Sequence, residues 1–171
     1  MGVRKKKPYE IPEDSSSSAS DVKPAYFPRD FSPEALGQES SFTQKIAPRD
    51  FSGLVLLIKS GITRASLDQL LVQTGISLTE MASFMHMSER TLRNYSPKTH
   101  LGPDSSERAI EIGLLYEEGR EVMGSLQNFI QWMSAPAQFI AGKRPLDFLD
   151  TSVGIRFLSD ELGKLRHGVF A

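Results

Sequence analysis

From Gly53 onward, apolar residues recur at the three-to-four-residue spacing of α-helices, and helix-ending residues stand between the stripes. Leu54, Leu57 and Ile58 form one stripe, closed by Gly61; Leu67, Leu70 and Leu71 form a second that stops at Gly75. Ser77-Leu-Thr-Glu80 is a capping-box pattern, with Ser77 capping a helix start and Glu80 reaching back. The short helix it opens carries Met81, Ala82, Phe84 and Met85. His86-Met87-Ser88 interrupts it, and Ser88 caps a further helix through Tyr95 that Pro97 ends. A longer helix is expected from about Pro103-Asp104, bearing Ala109, Ile112, Leu115 and Tyr116. The next is assigned Val122, Met123, Leu126, Phe129, Ile130 and Met133, with Gly113, Gly119 and Gly124 leaving the border between the two open. After Gly142 to Pro145, a turn through Leu146 and Leu149 precedes a last helix from about Ser152 to Arg166. No alternating stretch of useful length occurs, so the body is expected to be all-α.

The first 50 residues follow another pattern. Arg4 to Lys7 is cationic, Ser15 to Ser18 is low in complexity, and Pro8, Pro12, Pro24, Pro28 and Pro33 recur too often for regular structure. The expected organisation is a flexible or partly ordered segment over 1–45, a helix-turn-helix module over 46–100 and a helical module over 101–171. Pro-Arg-Asp-Phe-Ser occurs at 28–32 and again at 48–52. Two readings are open: paired docking motifs, or a duplicated segment whose Phe31 and Phe51 pack on the body. The second is favoured.

Composition narrows the function classes. The 20 Lys+Arg and 21 Asp+Glu nearly cancel, which argues against a strong non-specific nucleic-acid binder and requires any DNA reading to rest on a local patch. Without cysteine, disulfides and thiolate zinc sites are excluded. The basic start leads into prolines and serines, so no secretory leader is expected, and Leu54 to Ile58 is too short to cross a bilayer. A soluble, cytoplasmic protein without membrane association is expected.

Leu78 to Tyr95 carries the first functional information. A helix-turn-helix needs a small residue midway along its first helix, a tight turn, and apolar anchors on both helices. Ala82 is the small residue, His86 falls at the turn, and Met87 and Leu92 are the anchors, at +4, +5 and +10 from Ala82. Glycine is commoner at such a turn, but histidine tolerates positive φ better than most side chains. The second helix would then be the recognition helix. Its candidate DNA-binding residues are Ser88, Glu89, Arg90, Thr91, Arg93 and Asn94. Arginine pairs bidentately with guanine and asparagine with adenine, whereas serine and threonine more often touch phosphate. The competing reading is a helical hairpin with a solvated charged face.

The more specific signal lies in Gly142-Lys-Arg-Pro-Leu-Asp-Phe-Leu-Asp-Thr151 and the ending Leu165-Arg-His-Gly-Val-Phe-Ala171. Pro145 suits a first helical turn, Asp147 its positive end, and Leu146 and Leu149 an inward face. Asp150-Thr151 can cap the final helix. Lys143 and Arg144 fit a core poorly and are candidates for partner contact. Phe170, beside a terminal carboxylate, suits a cleft lined with arginines; the alternative is a tail folded onto its own module.

These stretches resemble the Xre/MbcA/ParS antitoxins of RES/Xre type over roughly residues 60–171. The matches are Gly142, Arg144, Pro145, Leu146, Asp147, Leu149, Asp150, Thr151, Gly154, Leu162, His167 and Gly168, with Phe148 replacing an aliphatic residue. The resemblance implies an Xre-like helix-turn-helix bundle followed by a small helical toxin-binding domain. It further implies a cognate RES-type toxin that consumes NAD, inhibited by occlusion of its active site. Operator DNA, autoregulation, and a homodimer or higher hetero-oligomer complete that expectation. The candidate toxin-binding residues are Lys143, Arg144, Arg166, His167, Gly168 and Phe170. Pro145, Asp147, Asp150 and Thr151 serve as a structural motif.

No catalytic, metal or cofactor site is expected. His86, His100 and His167 have no ligand spacing, and no Walker A, dinucleotide-binding or nucleophile-elbow pattern occurs. Glu117, Glu118 and Glu121 are read as a solvated helix face. The rival functions are an orphan regulator whose C-terminal module only dimerises, and an interaction adaptor whose helix-turn-helix no longer touches DNA.

Overall fold

In the computed structural model, which describes residues 51–166, the first apolar stripe forms helix α1 (Phe51–Ser60). Leu54, Leu57 and Ile58 lie half-buried against the core, and none of its side chains is fully enclosed. The favoured place for Phe51 is therefore corrected: it does not pack on the body but is 77% exposed, while Phe31 lies outside the described residues. Gly61, at φ 78°, ends the helix beside the Leu101 carbonyl, where any Cβ would collide.

Helix α2 (Arg64–Thr74) starts at a Thr63 cap and stops at Gly75 in the left-handed region, φ 71°. Leu67, Leu70 and Leu71 are buried. Ser77 and Glu80 form the complete capping box of α3 (Leu78–Phe84): the Ser77 hydroxyl accepts the Glu80 N–H at 3.2 Å, and the Glu80 carboxylate accepts the Ser77 N–H at 3.1 Å. His86 takes the turn at φ 54°, and Ser88 caps α4 (Glu89–Asn94) by accepting the Thr91 N–H at 3.0 Å. Ala82, 3% exposed, lets α4 cross closely and seat Leu92, which is fully buried.

Helix α5 (Pro103–Met123) is the longest and touches α1, α2, α6 and α7. It begins with proline at its first position, where no N–H is needed. Val122 and Met123 belong to this helix, not to the next, because Gly124 at φ 76° reverses the chain before α6 (Leu126–Ser134). Periodicity could not place that border, since the apolar stripe runs through it. Gly119 is buried where α5 meets Phe129 of α6, and the Phe129 ring stands edge-on to Tyr116 at 5.0 Å.

Two short 3₁₀ turns, Gln138–Ile140 and Pro145–Phe148, precede α7 (Ser152–Arg166). The first is held in a tight loop by Ala137 N–H to Lys143 carbonyl, 2.9 Å, and was not foreseen. Thr151 caps α7 by accepting the Gly154 N–H at 3.0 Å. Gly154 is needed because a Cβ would meet the Phe148 carbonyl. Leu158 and Leu162 of α7 join Leu67, Met81, Leu92, Ile112 and Phe129 in one cluster. Each such side chain contributes about 1.5–3 kcal/mol on burial. Among the described residues the only extended pairings are isolated bridges, so the all-α expectation holds. No described helix is long and apolar enough to cross a membrane.

The carboxylates of α5 correct one reading. Glu117 and Glu118 are half-buried: Glu117 holds Arg120 at 2.7 Å, and Glu118 accepts the Ser159 hydroxyl of α7 at 2.5 Å. Only Glu121 is exposed, 3.7 Å from Arg166. A single helix pattern could not show that α7 lies against Glu118.

Candidate functional site

Two surfaces carry the sequence-selected residues. On the first, α4 turns Arg90, Thr91, Arg93 and Asn94 to solvent, with Ser88 exposed at its entry. Glu89 is different. It is half-buried, accepts the Thr79 hydroxyl at 2.7 Å and binds the Arg93 Nε at 2.6 Å. Its carboxyl is held below the usual range by the Thr79 hydroxyl first and by Arg93 second. Glu89 thus ties α4 to α3 and restrains Arg93, although the Arg93 side chain stays 60% exposed. Arg90 has no ion pair among the described residues. The Ser88 hydroxyl is committed to capping and to Thr91 Oγ1 at 2.7 Å. Arg90, Arg93 and Asn94 are thus the polar heads best presented outward, and Lys98 and His100 are exposed in the loop that follows.

The second surface is the stretch 137–151. Pro145, Leu146 and Leu149 are buried, so the apolar part of the motif is packing. Asp147 accepts the Arg144 backbone N–H at 3.3 Å and takes the Arg144 guanidinium at 2.6 and 3.1 Å, closing the 3₁₀ turn on itself. The Arg144 hydrogen bond holds the Asp147 carboxyl below the usual carboxylate range, and the same pairing raises the guanidinium. Lys143 is exposed and so is Asp150. The Arg144 Nη1 also lies 3.9 Å from Glu80, the capping residue of α3. Arg166 is exposed at the end of α7. His167, Gly168 and Phe170 lie outside the described residues.

Sequence reasoning missed two features. One is an aromatic ladder beside Lys143. Trp132 stacks between Phe129 at 5.6 Å and Phe139 at 5.8 Å, and Phe157 continues the row to Phe148 at 6.3 Å. Its members come from four elements, so no local pattern reveals it. The other is Arg64, buried between α2 and α4, whose spacing to Asp68 looks like a surface pair. Among the described residues no cluster of His, Asp and Glu could hold a metal ion.

A helix-turn-helix bundle is joined through one long helix to a capped 3₁₀ motif and a last helix. The antitoxin Xre-like helix-turn-helix family model matches residues 53–112, and that of the antitoxin Xre/MbcA/ParS C-terminal toxin-binding domain matches 118–168. The chain belongs to the Xre/MbcA/ParS-type antitoxins, a family that is not enzymatic. The antitoxin Xre of Yersinia enterocolitica is 28% identical over 122 residues, 69% of this chain and 81% of that one. The M. tuberculosis MbcT-MbcA toxin-antitoxin complex contains a chain similar at TM-score 0.47 and 16% identity, over 63% of this chain and 96% of that one.

Proposed function

We propose that this antitoxin neutralises a RES-type, NAD-consuming toxin by occluding its active site, and that it binds operator DNA through α4 to regulate its own promoter. The observation that carries the reading is the presentation of two separate sets of polar side chains on one shared core. Recognition-helix heads face outward on one module, while Lys143 and Arg144 are exposed on a motif whose apolar half is buried in the other. Packing alone explains Pro145, Leu146 and Leu149; the Lys143 backbone closes the 137–143 loop, but its exposed side chain has no part in that packing.

In this reading Lys143, Arg144 and Arg166, with the ending His167, Gly168 and Phe170, contact the toxin. Arg90, Arg93 and Asn94 read base edges, and Ser88 and Thr91 stand near phosphate. A six-residue recognition helix on a nearly neutral chain binds weakly alone, so the active species is a dimer or a higher complex with toxin, spanning paired half-sites. The proposed division is a helix-turn-helix module over 46–100 and a toxin-binding module over 101–171.

The test is co-expression with the cognate toxin while cellular NAD and growth are followed. The full chain should restore both. A chain ending at Arg166 should restore neither fully while still binding the duplex upstream of its coding region. Rescue by the shortened chain equal to that of the full one would remove the tail from the inhibitory contact.

A further inference from the structure

Arg64 is a charged side chain in the core, only 6% exposed. Burying a guanidinium is costly unless its donors are used, so its partners indicate what it holds in place. Its Nη1 donates to the Leu92 carbonyl of α4 at 2.8 Å, and its Nη2 bonds Asp68 of its own helix at 2.6 Å. Nε is buried with no partner among the described residues. Asp68 itself is pulled two ways, burial raising its pKa and Arg64 lowering it.

The backbone around Arg64 grips the same region. Its N–H donates to the Thr99 carbonyl at 2.8 Å, the Ala65 N–H to Pro97 at 3.0 Å, and the Leu101 N–H to Ile62 at 2.9 Å. The first two fill donors that the start of a helix leaves open, and all three strap 97–101 against the start of α2. A helix as short as α4 has few internal bonds to fix its direction. The guanidinium sits at its C-terminal half, where the backbone dipole is negative.

We infer that Arg64 is a positioning residue for the recognition face: through Leu92 it sets the orientation of α4, and through its backbone that of the loop bearing Lys98 and His100. The inference rests on the DNA-binding reading for its consequence, but not for its structural content. Lysine replaces the planar fork by a single ammonium nitrogen and holds the two acceptors less well than two separate nitrogens do, whereas methionine holds neither.

The test uses the full chain with R64K and R64M, and two readouts. Hydrogen exchange, measured without DNA, should accelerate in 89–95 by about tenfold or more for R64M and less for R64K, with α7 unchanged. Binding to the upstream duplex and to a shuffled duplex should show the preference for the former falling about tenfold in R64M, with R64K between. Unchanged exchange over 89–95, or faster exchange spread equally through α7, overturns the positioning role. An equal loss on both duplexes overturns its effect on reading. A wild-type chain without preference overturns the DNA reading instead, while the exchange result still decides the role of Arg64 in α4.

Discussion

Arg144 and Glu80 face each other at 3.9 Å, so the C-terminal motif meets the capping residue of the first helix of the helix-turn-helix. Both side chains are more than a third exposed, and such a pair contributes under about 1 kcal/mol to stability. Arg144→Ala should therefore shift the urea midpoint little while weakening toxin binding measurably by calorimetry. A large loss of stability with unchanged toxin affinity would make Arg144 a structural residue.

The Arg144–Asp147 pair also has a pH signature. The folded Asp147 carboxyl lies below its ordinary value, so its contribution is present above the usual carboxylate range and is lost as pH falls through the lowered pKa. Arg144→Ala should return the Asp147 carboxyl upward toward its ordinary value, read by carbon-13 NMR titration. No movement would mean that the hydrogen bonds at 2.6 and 3.1 Å do not persist in solution.

Gly154 tests the packing of the motif. Alanine is favoured over glycine within a helix by about 1 kcal/mol. Here the added Cβ meets the Phe148 backbone carbonyl and Thr151 Oγ1, neither a flexible side-chain end. Overpacking costs about 1–3 kcal/mol and should win, so Gly154→Ala is expected to lower the denaturant midpoint. A raised midpoint would show that the 3₁₀ turn yields freely.

On α4, the recognition helix of the proposed reading, Arg90 has no ion pair among the described residues, while Arg93 is restrained by Glu89. Arg90→Ala should cost about 1–3 kcal/mol and relax preference at one operator position. An equal loss across sequences would place Arg90 on phosphate.

Most of the fold is legible in the sequence because its helix ends are chemically marked. Gly61, Gly75, the Ser77–Glu80 box, Ser88 and Thr151 all act where local chemistry puts them. The outward heads Arg90, Arg93 and Asn94 follow from helical periodicity, and the exposure of Lys143 from its poor fit to a core. What stayed hidden depends on tertiary neighbours. Phe51 is exposed, Glu117 and Glu118 are covered, Glu89 is tied to Thr79, and Arg64 is buried. Each needs knowledge of which element lies opposite, and a one-dimensional pattern does not contain it.

The most direct measurement is titration of purified cognate toxin with the full chain and with the charge-reversed double variant Lys143→Glu, Arg144→Glu, following NAD consumption. The account predicts stoichiometric inhibition by the full chain, weakened by about tenfold or more in the variant, whose helical circular dichroism stays unchanged. Equal inhibition by both chains would contradict the assignment of the toxin-binding surface to this motif.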